Sequence, residues 1–138
     1  MTEDYVSFET AKQLKTKGFD VPCEYFYSYG KLVKSQGFDC NWNKGESLYT
    51  DYKNECSAPT LQMAMKWLRE IQALNIYVRG VWKDVEVQYG DWELAVVGYE
   101  WFVESLTDDT YSKMSVEQFL TYEEAAEAAI KYCLENLI

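Results

Sequence analysis

The side chains able to carry covalent or acid–base chemistry here are four cysteines, Cys23, Cys40, Cys56 and Cys133, and 23 carboxylates; there is no histidine. Without histidine the Ser-His-Asp and Cys-His arrangements are excluded, and with them the commonest general base. A thiolate nucleophile would need a helix N-terminus or a nearby cation to lower its pKa, and no cysteine sits at a predicted helix start. Cys133 falls on the apolar side of a predicted helix. A zinc site wants close C-x-x-C-type knuckles, often completed by histidine, and no two cysteines here are that near. The four are expected as free thiols with no metal and no cofactor, since neither G-x-x-x-x-G-K-[ST] nor G-x-G-x-x-G occurs.

Two carboxylates across a cleft, with Trp and Tyr stacked on a sugar, could act as acid and base on a glycoside. Spacing along a chain cannot place two side chains across a cleft. The adjacent pairs have simpler assignments: Asp108-Asp109 to a turn, and Glu123-Glu124 to the positive end of a helix dipole. Aromatic residues make up 17% of the chain and offer contact chemistry instead. Period two over Cys23 to Tyr29 puts Tyr25, Tyr27 and Tyr29 on one strand face, either as an exposed contact ladder or packed beneath a helix. Trp42 lies between two asparagines in the longest irregular region, Ser35 to Ala58, as a binding residue on a loop or as a plug at the edge of the core. These four aromatics are the candidate contact residues.

The net charge of −10 is concentrated late. Residues 1–58 carry nine acids and seven bases, 59–90 three and four, and 91–138 eleven and two. Direct nucleic-acid binding is disfavoured, because it needs clustered Lys and Arg to release counterions from the backbone. An acidic surface that imitates nucleic acid and blocks a DNA-binding protein is compatible with the same numbers.

Helix signals are clear. Ser7 caps Phe8 to Lys17, which Gly18 ends, with Phe19 placed to fold back on Leu14. Thr60 caps the stretch Pro59 to Leu74, whose apolar arc of Leu61, Met63, Ala64, Met65, Trp67, Leu68, Ile71 and Leu74 is wide enough to touch both a sheet and a flanking element; Asn75 suits its left-handed end. Thr121 with Glu124 forms a capping box for the last helix, with Tyr122, Ala125, Ala126, Ala129, Ile130, Cys133, Leu134 and Leu137 inward and Glu127 paired with Lys131. Strands are expected at Cys23 to Tyr29, a return at Leu32-Val33 after Gly30-Lys31, Leu48 to Tyr52, Ile76 to Val78, Val81 to Tyr89, Trp92 to Leu106 beyond Gly90-Asp91, and Lys113 to Phe119. Gly98 within the long strand predicts a bulge or bend.

Y-V-S-F-E-T-A-K-Q-L-K-T-K-G-F-D (5–20), P-T-L-Q-M-A-M-K-W-L-R-E (59–70) and Y-E-E-A-A-E-A-A-I-K-Y-C-L-E-N-L (122–137) resemble short uncharacterised proteins of gut bacteria and their phage or other mobile elements. The resemblance covers the three helices and implies a mobile-element origin. It carries no activity and no site residue.

Together these readings give one α+β domain over 1–138: a bent antiparallel sheet of about four to six strands, two main helices on one face and a short N-terminal helix at an edge. With no signal-like start and no membrane-length apolar run, a cytoplasmic protein is expected. The functional expectation is a non-catalytic protein-binding module whose partner is another protein, with the nucleic-acid-mimicking decoy and a carbohydrate-binding protein as alternatives.

Overall fold

A computed structural model describes residues 4–44 and 54–138. Among them the order is α1 (Phe8–Thr16), β1 (Tyr25–Ser28), β2 (Lys31–Lys34), β3 (Glu55–Ser57), α2 (Leu61–Ile71), β4 (Leu74–Gln88), β5 (Asp91–Ser105), β6 (Ser112–Met114) and α3 (Tyr122–Asn136). The class is α+β, but the strands form two three-stranded antiparallel sheets, β2-β1-β3 and β4-β5-β6, where a single sheet was expected. The division follows the chain: Ala58 to Thr60 carry β3 straight into α2, and β4 starts only beyond that helix. The strand expected at Leu48 to Tyr52 lies outside the described residues. No helix among the described residues is long and apolar enough to cross a membrane.

The three caps form as their sequences dictate. Ser7 Oγ accepts from Thr10 N (3.2 Å), Thr60 Oγ1 from Met63 N (3.1 Å) and Thr121 Oγ1 from Glu124 N (3.1 Å). Each satisfies a first-turn N–H that has no partner within its helix. Past α1, Gly18 is left-handed at φ 91° and Phe19 N donates to Leu14 O at 2.9 Å, the expected fold-back. After α2 the left-handed residue is Ala73 (φ 55°) rather than Asn75. The sheet takes over early there: β4 begins at Leu74, and Leu106 N donates to Ala73 O at 2.8 Å. For the same reason the apolar arc of α2 is narrower than its composition suggests. Leu61, Ala64, Met65, Trp67 and Leu68 are buried, while Ile71 in the last turn is 65% exposed.

α2 packs on β4 and α3, and α3 on β4, β5 and α1. The close approach uses Ala125, Ala126 and Ala129 of α3, all fully buried. Phe19 meets Trp67 edge-on at 5.5 Å beneath α2. Glu127 and Lys131 do not pair with one another as their spacing predicts; both turn to α1. Glu127 Oε1 accepts from Ser7 N (2.9 Å) and Thr10 Oγ1 (2.6 Å), and Lys131 Nζ lies 3.4 Å from Glu9 Oε2. A carboxylate at the positive end of α1 is favourable, and the buried Thr10 hydroxyl needs an acceptor.

Arg79 and Gly80 stay in the β4–β5 ladder, opposite Glu100 and Tyr99, so the two strands expected at 76–78 and 81–89 are one. The hairpin loop is Tyr89-Gly90, with Gln88 opposite Asp91. Val81 pairs with Gly98 and Trp82 with Val96, which leaves Val97 as the extra residue of a bulge beside Gly98. A Cβ on Gly98 would sit 3.3 Å from Phe119 O, because Tyr99 and Phe119 exchange two backbone hydrogen bonds of 2.8 Å there. β6 is shorter than the 113–119 stretch, and Phe119 rejoins as an isolated bridge.

Glu127→Ala is expected to lower unfolding free energy by about 1–3 kcal/mol in urea titration, the cost of stripping partners from the buried Thr10 hydroxyl and the α1 N-terminus. Glu117→Ala, on an exposed site, should stay within about 0.5 kcal/mol.

Candidate functional site

Trp42 is 5% exposed. Its indole stacks on Phe26 at 3.9 Å and 22°, Nε1 donates to Cys23 O (2.8 Å) and its backbone N donates to Ser57 Oγ (3.1 Å). The neighbouring asparagines are buried with it. Asn43 Nδ2 donates to Phe19 O (2.8 Å) and its Oδ1 accepts from Ser57 N (2.9 Å), while Asn41 Oδ1 accepts from Asn43 N (3.2 Å). The polar residues flanking Trp42 therefore satisfy backbone groups around a core plug, and the indole is closed to a partner.

The three tyrosines do not form one ladder. Tyr25 lies against Tyr5 at 4.3 Å and Tyr27 against Phe8 at 5.4 Å, with Tyr27 Oη donating to Val6 O at 2.7 Å. Both are half-buried under the N-terminal segment. Tyr29 leaves the strand altogether. With Ser28 opposite Lys31, Tyr29 (φ 50°) and Gly30 (φ 81°) are the two loop residues of a hairpin, both left-handed as such a loop requires. Tyr29 is 72% exposed, over a shallow groove of about 350 Å³ that Phe8, Lys12 and Lys15 also line.

All four cysteines are buried, and none forms a disulfide among the described residues. Burial pushes the Cys23 and Cys133 thiols up to about 12 and Cys56 to about 11, with Asp39 adding to the shift at Cys23. These three are therefore not poised as nucleophiles. Among the described residues no three Cys, Asp or Glu side chains converge as metal ligands. The late acids are spread over β5, the turn after it, the segment between β6 and α3, and α3. Several are engaged within the chain: Glu100 with Arg79 (2.8 Å), Glu104 with Asn75 (3.0 Å), Asp108 with Thr110 (2.6 Å) and Glu135 with Gln13 (2.9 Å). A cleft of about 550 Å³ between β5 and α3, lined by Trp101, Phe119, Lys131, Tyr132 and others, gathers only Glu117 and Glu135 as acids.

The most exposed aromatic surface is one that was not singled out from sequence, the far half of the β4–β5 hairpin. Residues opposite one another in an antiparallel pair share a face. Near the helices that face holds Ile76, Val78, Trp101 and Val103, and all but Val78 are buried. Beyond the bulge the same face holds Trp82 with Val96, Asp84 with Leu94, and Glu86 with Trp92. Here no described residue covers it: Trp82 is 59% exposed, Trp92 62% and Leu94 63%. The signal was present in the sequence as a phase change. Trp92, Leu94 and Val96 are even-numbered and Tyr99, Trp101 and Val103 odd, and the extra residue at Val97 brings both sets to one side. From Trp82 to Val97 the ribbon bears Lys83 against Asp84, Glu86, Asp91 and Glu93.

Comparison with protein-family models, with curated proteins and with solved structures finds no match. Function is therefore read from the geometry of this chain.

Trp42→Ala should cost about 3–5 kcal/mol of unfolding free energy, the loss of a fully packed aromatic, whereas Tyr29→Ala should stay within about 0.5 kcal/mol. The thiols of Cys23, Cys56 and Cys133 also set an alkaline limit. Their folded pKa values lie above the ordinary 9, so the stability they contribute is complete below pH 9 and falls as pH rises from there towards about 12. A urea series from pH 8 to pH 11 should show that decline, and Cys133→Ala should flatten it.

Proposed function

We propose that this protein is a non-catalytic protein-binding module that engages its partner through the far half of the β4–β5 hairpin, not through Trp42 and the tyrosines. The observation that carries this reading is the exposure of Trp82, Trp92 and Leu94 on one face of a two-stranded ribbon. A two-stranded ribbon with an uncovered apolar face is marginal in water by itself, and exposed tryptophans are the residue type that dominates binding energy at protein interfaces. The base of the ribbon is continuous with the packed sheet, so the contact face is presented on a rigid support.

The chemistry of the partner follows from charge. The ribbon's four acids and single lysine favour a basic surface with apolar pockets. The decoy reading needs a continuous acidic array; the spread of the late acids over four separate stretches gives it less support. Carbohydrate recognition would use the same tryptophans but wants a walled site, and the two stand on a ribbon with open sides.

The test uses proteins captured by the wild-type chain and measures their affinity for a Trp82→Ser, Leu94→Ser double variant. Binding should fall by about 30-fold or more, as expected for loss of a central anchor, with unfolding free energy changed by no more than about 0.5 kcal/mol. Tyr29→Ala should bind as wild type. Undiminished affinity in the double variant would remove the ribbon from consideration.

A further inference from the structure

The outer edge of β4 is unpaired among the described residues, since β4 ends its sheet. Which amides that edge offers follows from the other side of β5. Tyr99 N donates to Phe119 O and Phe119 N to Tyr99 O, both at 2.8 Å, so both backbone groups of Tyr99 point away from β4. Gly80, opposite Tyr99, is then a non-hydrogen-bonded position of the β4–β5 ladder, and its own N–H and C=O point to the open side. The extra residue of this bulge belongs to β5, so the alternation continues along β4 as far as Glu86, beyond which Val87 is an extra residue of β4 itself: Trp82 and Asp84 also face outward, while Lys83 and Val85 bond to β5. A long strand with no proline is the kind of edge that natural proteins cover or use.

From this geometry, and resting on the binding role proposed above, we infer that the partner contributes an extended strand that adds to the open edge of β4. The side chains on β4 specify that strand. An added residue beside Trp82 meets an aromatic ring, those beside Asp84 and Glu86 meet carboxylates on the same face, and those beside Val85 on the other face meet an aliphatic surface. The complement is an extended segment with an apolar residue followed by Lys or Arg at alternate positions on one face and, on the other, apolar residues beside Val81 and Val85 that flank the position beside Lys83. A second copy of this chain does not fit. In a two-fold antiparallel pairing of β4 with itself that keeps the two faces aligned, opposed residues have the same parity. The acids Asp84 and Glu86 are even-numbered and the bases Arg79 and Lys83 odd, so no such register opposes an acid to a base. Registers centred on Lys83 or Asp84 oppose like charges.

The experiment selects extended peptides from a random twelve-residue library against the intact wild-type chain and compares Asp84→Pro with Asp84→Ala. Proline at 84 removes an outward N–H and places its ring at the edge, while the inward bonds of Lys83 and Val85 remain. Enriched peptides should alternate apolar and basic residues and bind Asp84→Pro at least about ten-fold more weakly than Asp84→Ala, a difference larger than a rim charge alone gives. Hydrogen exchange of the wild-type chain supplies a readout independent of variant folding. The amides of Trp82 and Asp84 should exchange fast in the free protein and slowly with peptide bound, with Lys83 and Val85 protected in both. Equal binding by the two Asp84 variants with no new amide protection overturns strand addition; the ribbon reading then stands or falls on the Trp82→Ser, Leu94→Ser variant. An unenriched library, peptides without basic residues, or protection of these amides by self-association at rising protein concentration would also overturn it.

Discussion

At Val97 and Gly98 one extra residue enters β5, and most of what this protein presents depends on that bulge. A strand alternates its side chains strictly, so a run with apolar residues at odd positions near the helices and even positions further out cannot keep both sets on one face. The bulge re-phases it. Trp101 and Val103 remain in the core while Trp92, Leu94 and Val96 continue the same face into the open. Gly98 also permits the close backbone pairing of Tyr99 with Phe119, which brings the chain to the start of α3. One local irregularity thus positions both the last helix and the exposed ribbon.

The rest of the body is closed by polar groups where apolar packing alone would leave backbone unsatisfied. Asn43 bridges Phe19 and Ser57, Trp42 bonds Cys23, and Glu127 joins the start of α1 to α3. Each bond contributes modestly, but leaving its buried partner unpaired would cost about 1–3 kcal/mol. These contacts make the irregular segment around Trp42 part of the core rather than a flexible loop. They also explain why two of the candidate tyrosines are half-buried: Tyr25 and Tyr27 are the floor on which the N-terminal segment lies.

The aromatic content therefore divides by position. Aromatics on β1 and α2, with Trp42 after β2, hold the body together, and those of the hairpin beyond the bulge reach solvent. Where the outer face of the β4–β5 sheet is exposed near the body, it is already self-complementary: Tyr77 stacks on Phe102 at 4.8 Å and 7°, and Arg79 lies over the same ring at 4.6 Å while paired with Glu100. On the ribbon's apolar face Glu86 Oε1 accepts from Gly90 N (3.0 Å), but among the described residues Trp82, Trp92 and Leu94 have no such ring or ion-pair partner. That difference is what makes it the recognition surface in the reading proposed here.

Local chemistry was legible from the residues alone. Ser7, Thr60 and Thr121 cap helices, Gly18 and Phe19 end one, Gly98 marks a bulge, and Asp108 closes a turn, because each of these interactions spans only a few residues. Periodicity identified the buried alanine face of α3 for the same reason. Burial was a different matter. A pattern of apolar residues says which side of an element faces a neighbour, not whether a neighbour is there. Ile71 and Trp82 are as apolar as Leu68 and Trp42, yet the first two stand in water and the second two do not. The split into two sheets, the turn of Glu127 towards α1 and the exposure of the ribbon were all decided by contacts between distant segments, which only the folded chain brings together.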